Sequence, residues 1–358
     1  MKLSVIGAGS WGTAIVSILS KKNHVNWWVR RERLKNQILL KKRNTKYLTN
    51  CKLNTKNITF YNDIDEIILS SDLVIVAIPS EFIYSVFKNK GDLLSNKTIL
   101  SAVKGVIPEK NSTPHDFFKS ISPNLNYGVI SGPCHAEEVA LEKQSYLTVS
   151  TINTDIHPHI KKIFNTKYIH TKTSNDIVGT EYAAILKNIY AILIGVASGL
   201  GYGDNFIAVL TTSCANEMKR LLQLLDPKER TISQPAYLGD LLVTCYSHHS
   251  RNRSLGVLIG KGYSVENAIE KMTMVAEGHP AAKSIYARVK KMKQIKQTPI
   301  ITSTYNILFK EKDPKTQLKK LEKLISWKPT SYKNPTQLVS RPYCFFTTQT
   351  LNKAGLVL

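Results

Sequence analysis

Residues 2–12 read KLSVIGAGSWG, and this stretch decides the fold of the chain. The residues from Lys2 to Ile6 predict a short apolar β-strand, and those from Thr13 to Ser20 predict a helix. Between them lies a G-x-G-x-x-G turn. A strand, this turn and a helix in that order are typical of dinucleotide-binding folds, and they favour that interpretation over a purely structural glycine turn.

Each of the three glycines has a physical task in such a turn. Gly7 allows the tight turn, Gly9 lets the backbone approach a pyrophosphate, and Gly12 lets the helix pack closely on the strand. The amides and the positive dipole end of the helix then receive the phosphates. The sequence therefore predicts an N-terminal α/β domain of the Rossmann type, with a mostly parallel, doubly wound sheet.

Further apolar runs predict the other strands of this sheet. Continuous runs of this kind are typical of strands that are buried on both faces of a parallel sheet. The runs are Val25–Val29, Asp72–Pro79, Thr98–Val103 and Tyr127–Ser131, with weaker strand signals at Tyr146–Ser150 and around Ile163–His170. Because ligands bind at the carboxyl ends of such strands, the residues that follow each run are candidates for a site.

Two arginines, Arg30 and Arg31, stand at the end of the second predicted strand. Folds of this type that select NAD normally carry an acidic residue there, which accepts a hydrogen bond from a ribose hydroxyl. A guanidinium group can instead grip a 2'-phosphate, so this position favours NADP. Stacking on adenine and a solvated loop are the alternatives.

Two turns follow later strands. Lys104 precedes Gly105, which permits close approach of the backbone, so Lys104 is a candidate for binding a ligand. Gly132-Pro133 leads into a helix-like segment from Cys134 to Ala140, which is a second candidate corner for an anion or an amide. We interpret His135 as a capping or solvated histidine rather than a catalytic one.

From Ser174 the pattern changes to long helices. We predict a dinucleotide-binding domain over residues 1–173, an all-helical domain over 174–325, and an extension of unassigned role over 326–358. Asn175 or Asp176 is a plausible cap for the first of these helices.

That helix carries a lysine among apolar residues. Lys187 has Ala183, Ala184, Tyr190 and Ala191 one turn away, and none of these is a carboxylate. A desolvated amine has a lowered pKa, which makes Lys187 a candidate general acid or base. The alternative is a lysine that extends its ammonium group to the surface.

A second informative block runs from Gly239 to Arg253. Asp240 is a carboxylate that could accept from a lysine or a substrate hydroxyl, and the cluster Ser250-Arg251-Asn252-Arg253 offers donors to a phosphate or to polyol oxygens. A polar helix cap is the alternative interpretation. Met274–Gly278 adds another turn with a carboxylate.

Composition adds one unusual property, a net charge of +23 over 358 residues. The lysines are spread along the chain, and the densest run, Lys283–Lys296, has the spacing of a helix with one buried stripe and a solvated basic face. Because aromatic residues do not interleave with the basic ones, we expect no nucleic-acid partner.

Localisation and metal content follow from two further features. We find no signal peptide and no apolar run approaching the length of a membrane span, so we expect a soluble cytoplasmic protein without membrane insertion. The cysteines are odd in number and lack a C-x-x-C pair, which argues against a disulfide framework and a metal site. They are Cys51, Cys134, Cys214, Cys245 and Cys344.

Taken together, these motifs resemble the bacterial NAD(P)-dependent glycerol-3-phosphate dehydrogenases, in the right order through about Leu324. The motifs are GAGSWGTA at 7–14, SAVKG at 101–105, GPCHAEE at 132–138, LKNIYAI at 186–192, GDLLVTCYSHHSRNR at 239–253 and VAEG at 275–278. The resemblance implies a Rossmann domain followed by a helical substrate domain, usually in a homodimer.

The resemblance also implies roles for individual residues. Lys187 matches the family's proton acceptor. The implied substrate ligands are Lys104, Gly132, Cys134, Lys187, Asp240, Ser250, Arg251 and Asn252. The implied cofactor ligands are Gly7, Gly9, Ser10, Trp11, Gly12, Arg30, Arg31, Lys104, Ala136, Arg251, Val275 and Glu277. One departure is Cys134, where the family usually has Ser or Thr, because a thiol is a much weaker hydrogen-bond donor.

The implied reaction is reversible hydride transfer between the nicotinamide and carbon 2 of glycerol 3-phosphate, giving dihydroxyacetone phosphate and supplying glycerol 3-phosphate for phospholipid synthesis. Two rival functions stay open. One is a dehydrogenase of similar architecture that acts on another hydroxy acid. The other is a basic nucleic-acid-binding protein, which predicts salt-sensitive binding and no turnover.

Overall fold

The strands of the chain join in one sheet. In the computed structural model, which describes residues 1–272 and 274–325, the sheet has eight strands. They are β1 Leu3–Ile6, β2 Val25–Trp28, β3 Ile58–Tyr61, β4 Leu73–Val76, β5 Thr98–Ser101, β6 Asn126–Ser131, β7 Ser145–Thr151 and β8 Ile169–Ser174. Their order is β3-β2-β1-β4-β5-β6-β7-β8, and only β6 and β7 are antiparallel neighbours in this described sheet. The predicted mostly parallel α/β fold is confirmed.

The strand order places a crevice near the middle of the sheet. From β1 the chain winds outward to β3, and it then returns to β4 on the other side of β1. In doubly wound sheets a ligand binds at such a switch point, outside the carboxyl ends of the strands. The turns that follow β1, β4, β5 and β6 all lie at this edge.

Helices connect the strands, and the first follows the glycine turn directly. Gly7 has a φ of +119°, which favours glycine. A Cβ atom on Gly12 would collide with the carbonyl oxygen of Gly7. The helices of this half are α1 Ser10–Leu19, α2 Glu32–Lys41, α3 Ile64–Leu69, α4 Ile83–Phe87, α5 Gly91–Leu94, α6 Pro114–Ile121, α7 Ala136–Ala140 and α8 His157–Phe164.

Two features of the sheet differ from the sequence-based expectation. The edge strand β3 was not predicted, and it is only four residues long with one fully buried side chain, so its apolar signal is weak. The expected strand around Ile163–His170 is partly wrong. Ile160, Ile163 and Phe164 form the buried stripe of helix α8, and the strand begins only at Ile169.

The second half of the described chain is helical. Its helices are α9 Ile177–Gly199, α10 Asp204–Leu225, α11 Asp240–Tyr246, α12 Arg251–Gly260, α13 Val265–Glu270, α14 Gly278–Lys291, α15 Pro299–Lys310 and α16 Pro314–Ile325, with a π-helical turn at Pro235–Gly239. Helix α15 ends where the chain enters a left-handed conformation at Glu311, and Pro314 starts α16. The division into domains near residue 174 stays a prediction, and the extension over 326–358 lies outside the described residues.

Helix α9 is the core of this half. Asp176 caps it by accepting a hydrogen bond from the amide of Gly179, at 3.0 Å. By length and composition α9 could span a membrane, so the expectation that no apolar run reaches that length is wrong. Its apolar window is, however, 89% buried inside the protein, as in the core helix of a water-soluble fold.

Small residues let α9 and α12 pack backbone against backbone. A Cβ atom on Gly195 would collide with the carbonyl oxygen of Arg253, and one on Gly256 would collide with that of Ile192. One turn further along, Gly199 and Gly260 make the same kind of close approach. Two of the four glycines between residues 195 and 203, Gly195 and Gly199, therefore serve the close approach of the two helices.

We predict that Gly256→Ala lowers the free energy of unfolding by about 1–3 kcal/mol, because the added methyl group forces two helix backbones apart. Urea denaturation followed by circular dichroism measures this change. Gly203→Ala is the matched control, since its Cβ would point into open space, and it should cost less than about 1 kcal/mol. Equal losses in both variants would show that crowding between α9 and α12 is not the cause.

Candidate active site

A cleft lies along the carboxyl ends of four strands of the sheet, with about 1060 Å³ of empty space, open solvent included. One wall consists of the turns after these strands, and the other belongs to the helical half. The first wall contains Gly9–Trp11, Ala77–Pro79, Ala102–Lys104 and Cys134–Glu137. The second contains Lys187, Asn188, Asp240, Thr244, His249–Asn252, Val275 and Glu277.

A buried ion pair forms the floor of this cleft. The Nζ atom of Lys187, on α9, donates a hydrogen bond to Oδ1 of Asp240, the first residue of α11. Lys187 is 4% exposed and Asp240 is 1% exposed. The other carboxylate oxygen, Oδ2, accepts from the hydroxyl of Ser131 at 3.2 Å and from the amide of Gly132 at 3.4 Å. Asp240 thus joins the end of β6 to both helices.

The environment of Lys187 lowers its pKa towards neutral pH. Burial lowers the pKa of Lys187 to about 8, the charge of Lys104 adds to this shift, and Asp240 opposes it. Burial alone would raise the pKa of Asp240, but the charges of Lys187 and Lys104 outweigh it and hold that pKa below its ordinary value. The pair therefore offers an ammonium group that can release and recover a proton in the physiological range.

A second corner of the cleft joins the sheet to the segment before α14. The carboxylate of Glu277 accepts from the hydroxyl of Ser80 and from its amide, the latter at 3.0 Å. A Cβ atom on Gly105 would collide with both of these side chains, so a larger residue after Lys104 would disturb their contact. Burial raises the pKa of Glu277, and the hydrogen bonds from Ser80 oppose that change.

The polar residues at the start of α12 line the same cleft. Ser250 caps this helix by accepting from the amide of Arg253 at 3.3 Å. Asn252 accepts from the amide of Gly278 at 2.9 Å, which ties α12 to α14. Arg251 is half-buried and faces the cleft between them. This cluster is a helix cap and part of the cleft wall at once.

Comparison with known proteins places the whole described fold in one family. The sequence profile described as NAD-dependent glycerol-3-phosphate dehydrogenase N-terminus matches residues 2–157, and that described as the C-terminus of the same enzyme matches residues 176–319. The chain belongs to the NAD-dependent glycerol-3-phosphate dehydrogenase family.

Individual relatives cover nearly all of the chain. Glycerol-3-phosphate dehydrogenase [NAD(P)+] of Clostridium botulinum (strain Alaska E43) is 36% identical over 321 residues, which is 89% of this chain and 96% of the relative. The protein of the same name from Clostridium tetani is 35% identical, over 87% of this chain and 89% of its own length. The crystal structure of glycerol-3-phosphate dehydrogenase from Coxiella burnetii has a TM-score of 0.84 at 26% identity, covering 90% of this chain and 98% of that one.

The structure brings most of the residues expected from the family resemblance to the cleft. Those that line it are Gly9, Ser10, Trp11, Lys104, Cys134, Ala136, Lys187, Asp240, Ser250, Arg251, Asn252, Val275 and Glu277. Gly7, Gly12 and Gly132 do not line the described cleft; Gly7 and Gly132 have positive φ angles, and Gly12 packs against the carbonyl of Gly7. Arg30 and Arg31 are exposed beyond the carboxyl end of β2 and do not line the described cleft, and the guanidinium of Arg30 lies 6.0 Å from the ring centre of Phe82.

Some cleft residues were not expected from the sequence. Asn188 donates to the carbonyl oxygen of Lys104 at 2.9 Å, and Thr244 donates to that of Asp240 at 2.6 Å. Of the two interpretations of His135, the structure supports the capping position, since it is the N-cap residue of α7, but its side chain makes no capping hydrogen bond and lines the cleft instead of lying in solvent. Burial, helped by the charges of Lys187 and Lys104, lowers the pKa of His135 to about 4.

The glycine turn has the properties that the family's dinucleotide requires. A Cβ atom built on Gly9 has open space around it, so the backbone is accessible at the N-terminus of α1. Within the described residues, the buried Nε1 of Trp11 has no hydrogen-bond partner, and it belongs to a side chain that lines the cleft. The ammonium of Lys104 lies 5.4 Å from the centre of the Trp11 ring. These features leave an accessible backbone and an unused donor for a bound dinucleotide.

We predict that Asp240→Asn lowers the free energy of unfolding by about 3 kcal/mol at pH 7, because it leaves the buried ammonium of Lys187 without its counter-charge. The pKa of Lys187 is about 8 and lies below that of an unfolded lysine, so at pH 9 the amine is largely neutral in the folded state. The loss should therefore be smaller at pH 9.

Urea denaturation at both pH values measures this effect. Asp92→Asn is the matched control, since Asp92 is an exposed residue in the first turn of α5, and its loss should be below about 0.5 kcal/mol. A loss for Asp240→Asn that does not change between pH 7 and pH 9 would contradict the role given to the ammonium.

Proposed function

We propose that this chain is an NAD(P)-dependent glycerol-3-phosphate dehydrogenase, which interconverts dihydroxyacetone phosphate and glycerol 3-phosphate. The observation that carries the proposal is the buried pair of Lys187 and Asp240 in the cleft at the strand ends, in a chain of this family. The cleft offers cationic and polar groups to a small phosphorylated substrate on one side and an open glycine turn to a dinucleotide on the other. Because a small substrate and a dinucleotide account for the groups in the cleft, no nucleic-acid partner is needed to explain them.

The substrate, in this proposal, lies between the ion pair and the start of α12. Lys104 and Arg251 supply positive charge for a phosphate dianion, and Ser250 and Asn252 add polar contacts. Gly132, Cys134 and Asp240 complete the proposed substrate site. Burial raises the pKa of Cys134 to about 12, so its side chain is a neutral thiol and only a weak donor.

The cofactor, in this proposal, occupies the glycine turn. Gly7, Gly9, Ser10, Trp11 and Gly12 present the backbone and the N-terminus of α1 to the pyrophosphate. The other proposed cofactor ligands are Arg30, Arg31, Lys104, Ala136, Arg251, Val275 and Glu277. The bound nicotinamide ring supplies hydride to carbon 2 of the ketone or accepts it from the alcohol.

The residues of the chain handle the proton and the charge. In the reductive direction the ammonium of Lys187 donates its proton to the developing alkoxide, while Lys104 stabilises the negative charge. In the oxidative direction the neutral amine of Lys187 takes the hydroxyl proton. Asp240 holds Lys187 in place and keeps its pKa from falling further, so both protonation states are populated near neutral pH.

The assembly, the cellular location and the cofactor preference of the enzyme are also proposals. We propose a homodimer of chains without membrane insertion, each with a dinucleotide-binding domain over 1–173 and a helical domain over 174–325. The enzyme would act in the cytoplasm and supply glycerol 3-phosphate for phospholipid synthesis. NADP is the favoured cofactor, because guanidinium groups rather than a carboxylate follow β2.

The decisive experiment measures the oxidation of NADH and of NADPH by the purified protein with dihydroxyacetone phosphate, beside a panel of other keto and hydroxy acids. We expect turnover with dihydroxyacetone phosphate and little with the others. Lys187→Ala should lower kcat by about a hundredfold or more, because the alkoxide loses its proton donor. Cofactor binding, followed by titration calorimetry, should be retained.

The matched control is Lys261→Ala, which removes an exposed lysine just after α12 and should leave kcat unchanged. Near-normal turnover in Lys187→Ala would remove Lys187 from the chemistry. If the protein turns over another hydroxy acid faster, that compound becomes the substrate in place of the proposed one. Salt-sensitive binding to DNA without any turnover would favour the nucleic-acid-binding alternative.

Cofactor preference can be tested at the end of β2. Changing Arg30 and Arg31 together to Ala should raise KM for NADPH by about tenfold and KM for NADH by less, since a 2'-phosphate loses its cationic partners. Steady-state kinetics with each cofactor gives both values. Lys35→Ala, on the neighbouring helix α2, serves as the control for a general loss of positive charge. Equal effects of the double substitution on the two cofactors would contradict the proposed phosphate contact.

A further inference from the structure

A polar cluster outside the described cleft wall surrounds the carboxylate of Asp176. This carboxylate caps α9 through the amide of Gly179, and it also accepts from the guanidinium of Arg230 through Nε at 2.7 Å and Nη2 at 3.1 Å. The ammonium of Lys228 lies 2.8 Å away, and the hydroxyl of Tyr237 donates to Oδ2. The carboxylate of Asp176 therefore has four partners among the described residues, namely Gly179, Arg230, Lys228 and Tyr237.

The cluster is tightly built rather than incidental. A Cβ atom on Gly179 would collide with the carboxylate of Asp176 and the guanidinium of Arg230, so a larger residue there would displace these two groups. The side chain of Arg230 is 4% exposed, and it also donates to the carbonyl oxygen of Asp226 at 2.6 Å, just after the end of α10. The start of α9 and the end of α10 thus meet at Asp176.

Tyr237 connects this cluster to the active site. It lies in the π-helical turn Pro235–Gly239, and Asp240 follows that turn directly. Its partner Asp176 caps α9, the helix that carries Lys187. One end of the Tyr237–Asp176 hydrogen bond therefore lies on the element that supplies the ammonium, and the other lies on the element that supplies its counter-charge.

We infer that the hydrogen bond from Tyr237 to Asp176 is a positioning contact, which fixes the π-helical turn against the start of α9 and so holds Asp240 within reach of Lys187. This inference rests on the proposed function of the ion pair. Tyr237 is absent from the described cleft wall, so its role is exerted through Asp240 and not on a ligand.

The electrostatics around Lys187 give the direction of the effect. The charged groups that shift the pKa of Lys187 are Asp240 on α11 and Lys104 after β5. Cys245 on α11 and His135 before α7 also face Lys187, whose charge lowers the pKa of both. Asp240 is the group whose charge opposes the lowering of the pKa of Lys187. If Asp240 is held less closely, the ammonium loses stabilisation and the pKa of Lys187 falls further below about 8.

Tyr237→Phe tests the inference, because it removes a single hydroxyl and leaves Asp176 with Arg230, Lys228 and the amide of Gly179. We expect kcat for dihydroxyacetone phosphate reduction to fall about tenfold, since the proton donor is misplaced, with KM for the cofactor changed less than about twofold. The pH at which kcat/KM falls in the reductive direction should move down by about half a pH unit or more. Tm should stay within about 5 °C of the unchanged protein.

Tyr202→Phe is the matched control. Tyr202 likewise donates its hydroxyl to a carboxylate, that of Glu322 at 2.5 Å, but it does not line the described cleft. This variant should keep the original kcat and pH profile. If Tyr237→Phe is insoluble, Asp176→Asn weakens the same cluster while keeping an acceptor for Tyr237, and it should move the pH profile in the same direction by a smaller amount.

The outcomes separate the inference from the proposed function. If the protein without substitutions does not reduce dihydroxyacetone phosphate, the proposed function is wrong. Turnover by the unchanged protein, together with a Tyr237→Phe pH profile that matches that of Tyr202→Phe, overturns the inference alone. A fall in Tm without a shifted pH profile assigns Tyr237 a structural role only and also overturns it.

Discussion

The buried contact between the ammonium of Lys187 and the carboxylate of Asp240 is the interaction around which the two halves of this chain are arranged. Removing two charges from water is costly, and an ion pair inside a protein is tolerated only where further hydrogen bonds satisfy the remaining oxygens. Ser131 and Gly132, at the end of β6, provide those hydrogen bonds. The sheet therefore completes a charge pair whose two members both come from the helical half.

The ion pair requires accurate placement of α9 and α11, and close contacts fix the first of these helices. Gly195 and Gly256 allow α9 and α12 to approach until their backbones touch, which fixes the position of α9 along its length. Glu181, near the start of α9, accepts from Tyr127 of β6 at 2.5 Å and so anchors the helix to the sheet. Because packed helices and a capped terminus leave little freedom, the desolvated amine has a defined environment and hence a defined pKa.

The cleft divides its chemistry between backbone and side chains. On the sheet side, the glycine turn leaves open space beside its backbone at Gly9, whereas Gly105 makes room for the side chains of Ser80 and Glu277. On the helical side, charged and polar side chains converge from α9, α11 and the start of α12. A preorganised site of this kind stabilises developing charge without reorganising during the reaction. Membership of the glycerol-3-phosphate dehydrogenase family agrees with that division of labour.

The sequence by itself determined the features that depend on near neighbours. The strand, glycine turn and helix at residues 2–20, the apolar core strands and the apolar helix around Lys187 follow from local patterns, because periodicity and turn chemistry act over a few residues. The motifs also indicated most residues of the cleft. The four-residue edge strand β3 was missed, since a half-exposed strand leaves too little apolar pattern to recognise.

Only the tertiary structure decided which charges meet. Lys187 has no carboxylate at helical spacing, and its partner Asp240 lies 53 residues away in sequence. Ser80 and Glu277 are 197 residues apart, and Asp176 meets Tyr237 across 61 residues. Such pairs are set by how whole helices and the sheet pack, and one sequence contains no local signal for that packing. The candidate proton donor and the lowering of its pKa by burial could therefore be inferred from the sequence, whereas the counter-charge that opposes this shift could not.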